Sequence, residues 1–179
     1  MKSNQNISTG IAFGLIIGLV YCILLFFRWQ SATNFIQFGL LAIVSYIIII
    51  GILIYEASYR RKLNGGFIET KELMQTLFIS VLIFEFFYTL FNFIYLKYID
   101  PGVIDSMKQA MQKMLNQAGD QITEEQRKQS MERFDKLGEA TQIGQAIKSY
   151  FLSVAVSGIV ALIISAIMKK RKPVFQEIS

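Results

Sequence analysis

Four apolar runs, at about residues 10–27, 35–55, 73–96 and 149–168, constrain this chain more than any other feature. Each is close to the ~20 residues that an α-helix needs to cross ~30 Å of hydrocarbon. No water reaches the backbone inside a bilayer, so a run of this kind must satisfy its own amides as a helix or join a closed barrel. The run 149–168 carries no charge, and 73–96 carries only Glu85. Ile47 to Ile50 stand in a row, a pattern that leaves a soluble helix no polar face. The spacing predicts an all-α integral membrane bundle of four transmembrane helices.

Composition agrees with this reading. Apolar residues make up 53% of the 179 positions and charged residues 17%, too few charges to cover a soluble domain of this length. The net charge of +5 comes from Lys and Arg at the ends of apolar runs, not from a single basic stripe, which argues against nucleic acid as a partner and for a lipid bilayer. Cys22 is the only cysteine, so no intrachain disulfide can form. Tyr21 precedes it where a lipoprotein signal needs a small residue, so Cys22 reads as a small buried hydrophobe. The first run closes on Arg28-Trp29 without a small-residue cleavage site, the mark of a retained span with an interfacial aromatic.

The remaining residues divide into three polar pieces. Residues 1–9 form a polar N-terminal tail without a core pattern, ahead of spans one to three within 10–98. Asn64-Gly65-Gly66, between spans two and three, supplies the positive φ angles of a tight turn and predicts a helical hairpin. Residues 99–148 form an extramembrane helical pair. Asp100-Pro101 suits an N-cap followed by proline in the first helical turn, and Val103, Met107, Ala110, Met111, Met114 and Ala118 then recur on one face. Gly119-Asp120 breaks that helix. Thr123-Glu124-Glu125-Gln126 fits a capping box for a second helix, which carries Met131, Phe134 and Leu137 on one side and is loosened or ended by Gly138. Its balanced charges read as a solvated surface, and the methionine stripe as packing against a neighbour or the membrane surface. Residues 169–179 form a basic C-terminal tail.

With four spans, the two termini and the Arg60 loop share one side of the membrane. Lys and Arg are tied at nine a side, but close to the span ends Arg60, Arg61, Lys62, Lys71 and Lys169 to Lys172 outweigh Arg28, Lys97 and Lys148. Both termini are therefore expected to be cytoplasmic, in a cytoplasmic (inner) membrane.

Two small-residue faces point to close helix packing. Gly10, Gly14 and Gly18 repeat every fourth residue, and Ser149, Ser153, Ser157, Ala161 and Ser165 do the same on the last span. Packing within one chain is the simpler expectation, with a homo-oligomeric seam second. Glu85 is the ionisable residue in the middle of a span, and helical spacing puts Tyr88, Thr89, Asn92 and Tyr95 on its side. That stripe is expected to face the bundle, with Glu85 as a neutral carboxyl hydrogen-bonded to hydroxyls or backbone.

Enzyme chemistry finds little support. The chain has no histidine, the usual general base and the commonest metal ligand, and no glycine-rich phosphate loop. No catalytic residue, cofactor or metal ligand is assigned.

Asn64-Gly65-Gly66-Phe67-Ile68, the later run Phe91-Asn92-Phe93-Ile94-Tyr95-Leu96-Lys97-Tyr98-Ile99-Asp100-Pro101 and the lysine-rich end of the last span together resemble a bacterial family of four-span membrane proteins. That family is known as domain of unknown function 4199. The resemblance covers nearly the whole chain. It implies a cytoplasmic-membrane protein and supplies no activity, ligand or site residue.

Two functions are left in competition. The first is a non-enzymatic packing, scaffold or accessory protein that acts through helix contacts with itself or a membrane partner. The second is an oligomeric transporter or channel subunit in which the Glu85 stripe carries protons or cations.

Overall fold

In the computed structural model, residues 2–117, 123–138 and 142–170 are described, with side chains over 4–117, 123–132 and 142–170. Six α-helices follow in order: α1 (Lys2–Gln30), α2 (Phe35–Leu63), α3 (Thr70–Ile94), α4 (Val103–Gln117), α5 (Glu124–Gly138) and α6 (Ile143–Met168). A π-helical turn, Tyr95–Ile99, extends α3. Helices α1, α2, α3 with its extension, and α6 are long and apolar enough to cross a membrane. Their outward faces carry large apolar side chains, among them Ile36, Ile47, Phe151 and Ile167. Exposed apolar surface on this scale belongs against lipid, so the chain is a multi-pass membrane protein with a bilayer around it.

Helix α3 is the hub, packed along α1, against α6 and more lightly against α2. The α1 glycines determine the closest seam. Gly10 lies against Thr76 and Ile79, Gly14 against Ser80 and Ile83, and Gly18 against Phe87, so α1 and α3 advance side by side in parallel. Helix α6 runs the other way, with Ser165 by Met74, Gly158 by Phe78 and Tyr150 by Leu82. The core between them combines Ile17, Tyr21 and Leu25 of α1 with Leu53 and Ala57 of α2, Leu77, Val81 and Phe84 of α3, and Ala161 of α6.

The helices overrun the apolar runs. Residues 2–9, expected as a polar tail, are the first turns of α1, because Asn6 is buried there and hydrogen-bonded to α3 and α2. Helix α2 continues past Tyr55 to Leu63, where the Asn64 N–H and the Asn64-Gly65-Gly66 turn close it, with φ of +72° at Gly65 and +87° at Gly66. Helix α6 begins at Ile143, ahead of the expected Ser149. Ile68 pairs with Lys170 through two backbone hydrogen bonds of 2.9 and 3.0 Å, tying the α2–α3 turn to the end of α6.

At the other end, α4 lies over the bundle. Val103, Ile104 and Met107 pack with Trp29, Ala32, Tyr95 and Leu96, and Met111 adjoins them, whereas Met114 is exposed. The helix starts later than Asp100-Pro101 suggests. A turn at residues 101–102 intervenes, and the Asp100 carbonyl accepts from Val103 N–H at 3.3 Å. The capping box of α5 is present, with Thr123 N–H donating to Gln126 Oε1 at 3.0 Å and Gln126 N–H to Thr123 Oγ1 at 3.3 Å. Ala118, the Gly119-Asp120 break and the side chains of Phe134 and Leu137 lie outside the described residues.

Candidate functional site

Polar side chains gather at two levels in the bundle. The first, near the α2–α3 turn, is missing from the sequence reading, which ended the second span at Tyr55 and treated Glu85 as the ionisable group of the membrane interior. On α2, Ser45, Ile49, Leu53, Glu56, Ala57 and Arg60 form one buried face. Glu56 and Arg60 are both 0% exposed. The signal was present in the sequence, since Glu56 and Arg60 continue the three- and four-residue spacing of Ser45, Ile49 and Leu53. Extending the helical period past the last apolar residue would have found them.

Glu56 Oε1 lies 2.6 Å from the Ser80 hydroxyl, which is also 2.8 Å from the Gly10 carbonyl oxygen. The absence of a side chain at Gly10 brings that carbonyl within reach: a Cβ there would stand 2.6 Å from the Thr76 carbonyl oxygen. Arg60 Nε–H donates to Asn6 Oδ1 at 2.7 Å, and Asn6 Nδ2–H donates to Gln75 Oε1 at 3.1 Å. Two buried polar chains, Glu56–Ser80–Gly10 and Arg60–Asn6–Gln75, thus each join α1, α2 and α3. Glu56 Oε2 is buried and accepts no hydrogen bond among the described residues. Burial of this kind is costly unless partnered, so the cluster's bonds offset the cost of its own desolvation.

The second level holds the sequence-predicted stripe, which the structure divides. Glu85, 4% exposed, accepts from the Ser157 hydroxyl of α6 at 2.5 Å. The α3 polar stripe and the α6 small-residue stripe therefore meet at this pair. Tyr88 stacks on Tyr21 of α1 with ring centroids 4.9 Å apart. Asn92 Oδ1 accepts from Trp29 Nε1–H at 2.8 Å, and its Nδ2–H donates to the Tyr88 carbonyl. Tyr95 belongs to the aromatic cluster under α4, stacked on Trp29 at 5.8 Å. Thr89 Oγ1 is buried without a hydrogen-bond partner among the described residues. On α6, Ala161 and Ser165 are buried, Ser165 Oγ–H donates to the Ala161 carbonyl at 2.7 Å, and Ser153 is half-buried. Gly10, Gly14 and Gly18 all face α3.

Among the described residues no three His, Cys, Asp or Glu side chains gather into a metal-ligand set. The arrangement can hold helices together. Two carboxyls of the candidate spans each touch a serine of a neighbouring helix, Glu56 touching Ser80 and Glu85 touching Ser157.

Neither the curated proteins nor the solved structures contain a match to this chain. A sequence model of one family, described as protein of unknown function DUF4199, matches residues 8–170. The match takes in the first candidate span from residue 8 onward, the other three whole, the buried Glu56–Arg60 face and the α4–α5 segment. The chain belongs to the DUF4199 family.

Proposed function

We propose that this protein is a non-enzymatic scaffold or accessory protein of a bacterial cytoplasmic membrane, with both termini in the cytoplasm, acting through contacts between its helices and a membrane partner. One observation supports this reading above others. The polar groups inside the spans are spent on joining helices: Glu56 to Ser80, Glu85 to Ser157, Asn92 to Trp29, and Asn6 to Arg60 and Gln75. Groups placed this way confer cohesion on a bundle whose apolar faces gain little from associating in lipid. The glycine face of α1 is filled by α3 and the small face of α6 meets α3, so both favour packing within one chain over a homo-oligomeric seam.

The transport reading draws on the unpartnered Oε2 of Glu56, which together with Glu85 gives two carboxyls within the membrane. Proteoliposomes loaded with a pH-sensitive dye separate the two. The scaffold reading expects no proton or potassium flux above protein-free vesicles. A wild-type flux that Glu85→Gln or Glu56→Gln abolishes would overturn it in favour of a transporter subunit.

A further inference from the structure

Two cavities adjoin at the α4 end of the bundle and share Thr89, Phe93 and Ala146. The first, about 410 Å³, is an apolar groove between α3 and α6, with Phe86 and Leu90 on one wall and Ile147, Tyr150 and Phe151 on the other. The Tyr150 hydroxyl is turned away and donates to the Leu82 carbonyl at 3.2 Å, so the groove keeps only the ring. The second, about 260 Å³, has a mainly apolar wall into which Arg28, Thr89, Asn92 and Ser149 bring polar groups. No carboxylate lines it. Arg28 Nε is buried without a hydrogen-bond partner among the described residues, and its guanidinium rests 4.2 Å from the centre of the Phe38 ring. Lys97 Nζ stands 5.1 Å from the ring of Phe93, the residue common to both cavities.

Depth gives these chambers their meaning. The α1 run from Gly10 to Phe27 is about 27 Å long at ~1.5 Å per residue, close to the hydrocarbon thickness. Arg28 and Trp29 therefore stand at the hydrocarbon boundary, the level of lipid phosphates, with Trp29 as the interfacial aromatic. The apolar groove descends from there along Phe93, Leu90 and Phe86 towards the midplane, open sideways to lipid through the exposed faces of Phe86 and Phe151. A cation with no carboxylate in its cavity wall, at phosphate depth above an apolar slot at acyl-chain depth, matches one amphiphile in both halves.

We infer that this paired cavity binds an anionic phospholipid drawn from the leaflet on the α4 side, its phosphate on Arg28 and one acyl chain in the α3–α6 groove. Arg presents a donor fork that fits phosphate oxygens, and a phosphate there would supply the acceptor that Nε lacks. The Thr89 hydroxyl, which has no hydrogen-bond partner among the described residues, and the second Nδ2–H of Asn92 add polar groups beside it. The inference holds whether the protein scaffolds or transports.

Native mass spectrometry of the full chain with phosphatidylglycerol or phosphatidylethanolamine as the added lipid tests it. Phosphatidylglycerol is expected to remain bound in wild type, and Arg28→Gln to weaken that binding roughly tenfold, the loss of one charge-assisted hydrogen bond. Ala146→Trp, which fills the wall shared by both cavities and keeps the charge, is expected to lower retention of both lipids. Equal retention of the two lipids by wild type would overturn the anionic preference, and preferential retention of oleate over phosphatidylglycerol would overturn the phosphate assignment. Phosphatidylglycerol with a diazirine on its acyl chain tests the groove in unmodified protein. Crosslinks are expected at residues 86–93 and 143–151, and crosslinks confined to other segments would overturn the site even if the variants fail to fold.

Discussion

Glu56 Oε1 of α2 sits 2.6 Å from the hydroxyl of Ser80 on α3, inside a bundle whose second apolar run ends one residue earlier. That serine also reaches the Gly10 carbonyl at 2.8 Å, so a single hydroxyl links three helices. Ser80→Ala leaves the carboxyl buried without its donor, a loss of about 1–3 kcal/mol for an unsatisfied buried group. The melting temperature in mild detergent is expected to fall clearly for Ser80→Ala and little for Glu56→Gln, because a Gln amide supplies a donor and an acceptor of the same reach. A wild-type melting temperature for Ser80→Ala would show that the contact contributes nothing.

The Glu85–Ser157 contact joins α3 to α6 in the same manner. A double-mutant cycle with Glu85→Leu and Ser157→Ala is expected to give a coupling of about 0.6 kcal/mol, and no more than about 1.7 kcal/mol, the range of hydrogen bonds in membrane bundles. Additive single effects would show that the two side chains act independently.

Glycines divide by position. A Cβ at Gly14 would stand 2.8 Å from Ile83 Cβ and 3.1 Å from the Ser80 backbone, whereas nothing lies within 4 Å of one at Gly51. Gly14→Leu is expected to cost about 1–3 kcal/mol by overpacking or to separate α1 from α3. Gly51→Ala is expected to be neutral or stabilising by roughly 0.5–1 kcal/mol, since it removes backbone freedom without a clash. Thermal unfolding of the two variants side by side reads the contrast, and equal melting temperatures would refute the α1–α3 seam.

Topology follows from the basic residues near the span ends. Reporter domains fused after Ser179 and inserted at Gly65 are expected to report cytoplasm, and one inserted near Gly119 the opposite side. A cytoplasmic signal at Gly119 would overturn the orientation or the number of spans crossed.

What the sequence determined by itself was the set of features written in local patterns. Apolar runs of bilayer length, with Glu85 as the one ionisable residue among them, give four spans because a lipid-facing segment must satisfy its backbone internally. Asn64-Gly65-Gly66 gives the turn because glycine accepts positive φ without a steric cost, and Thr123 with Gln126 gives the α5 cap because three residues separate partner groups. The four-residue repeat of Gly10, Gly14 and Gly18 marks a face of close approach, but it does not name what approaches. That is a non-local fact, decided when Thr76, Ser80, Ile83 and Phe87 of α3 settle into it. Tertiary packing likewise decided which polar residues are interior. Asn6, Glu56 and Arg60 lie beyond the apolar runs and look solvated, yet the helices continue past those runs and the hydrogen bonds of neighbouring helices hold all three inside. The stripe from Glu85 to Tyr95 shares one helical side, but its members are divided among Ser157, Tyr21 and Trp29, because partners on different helices stand at different depths.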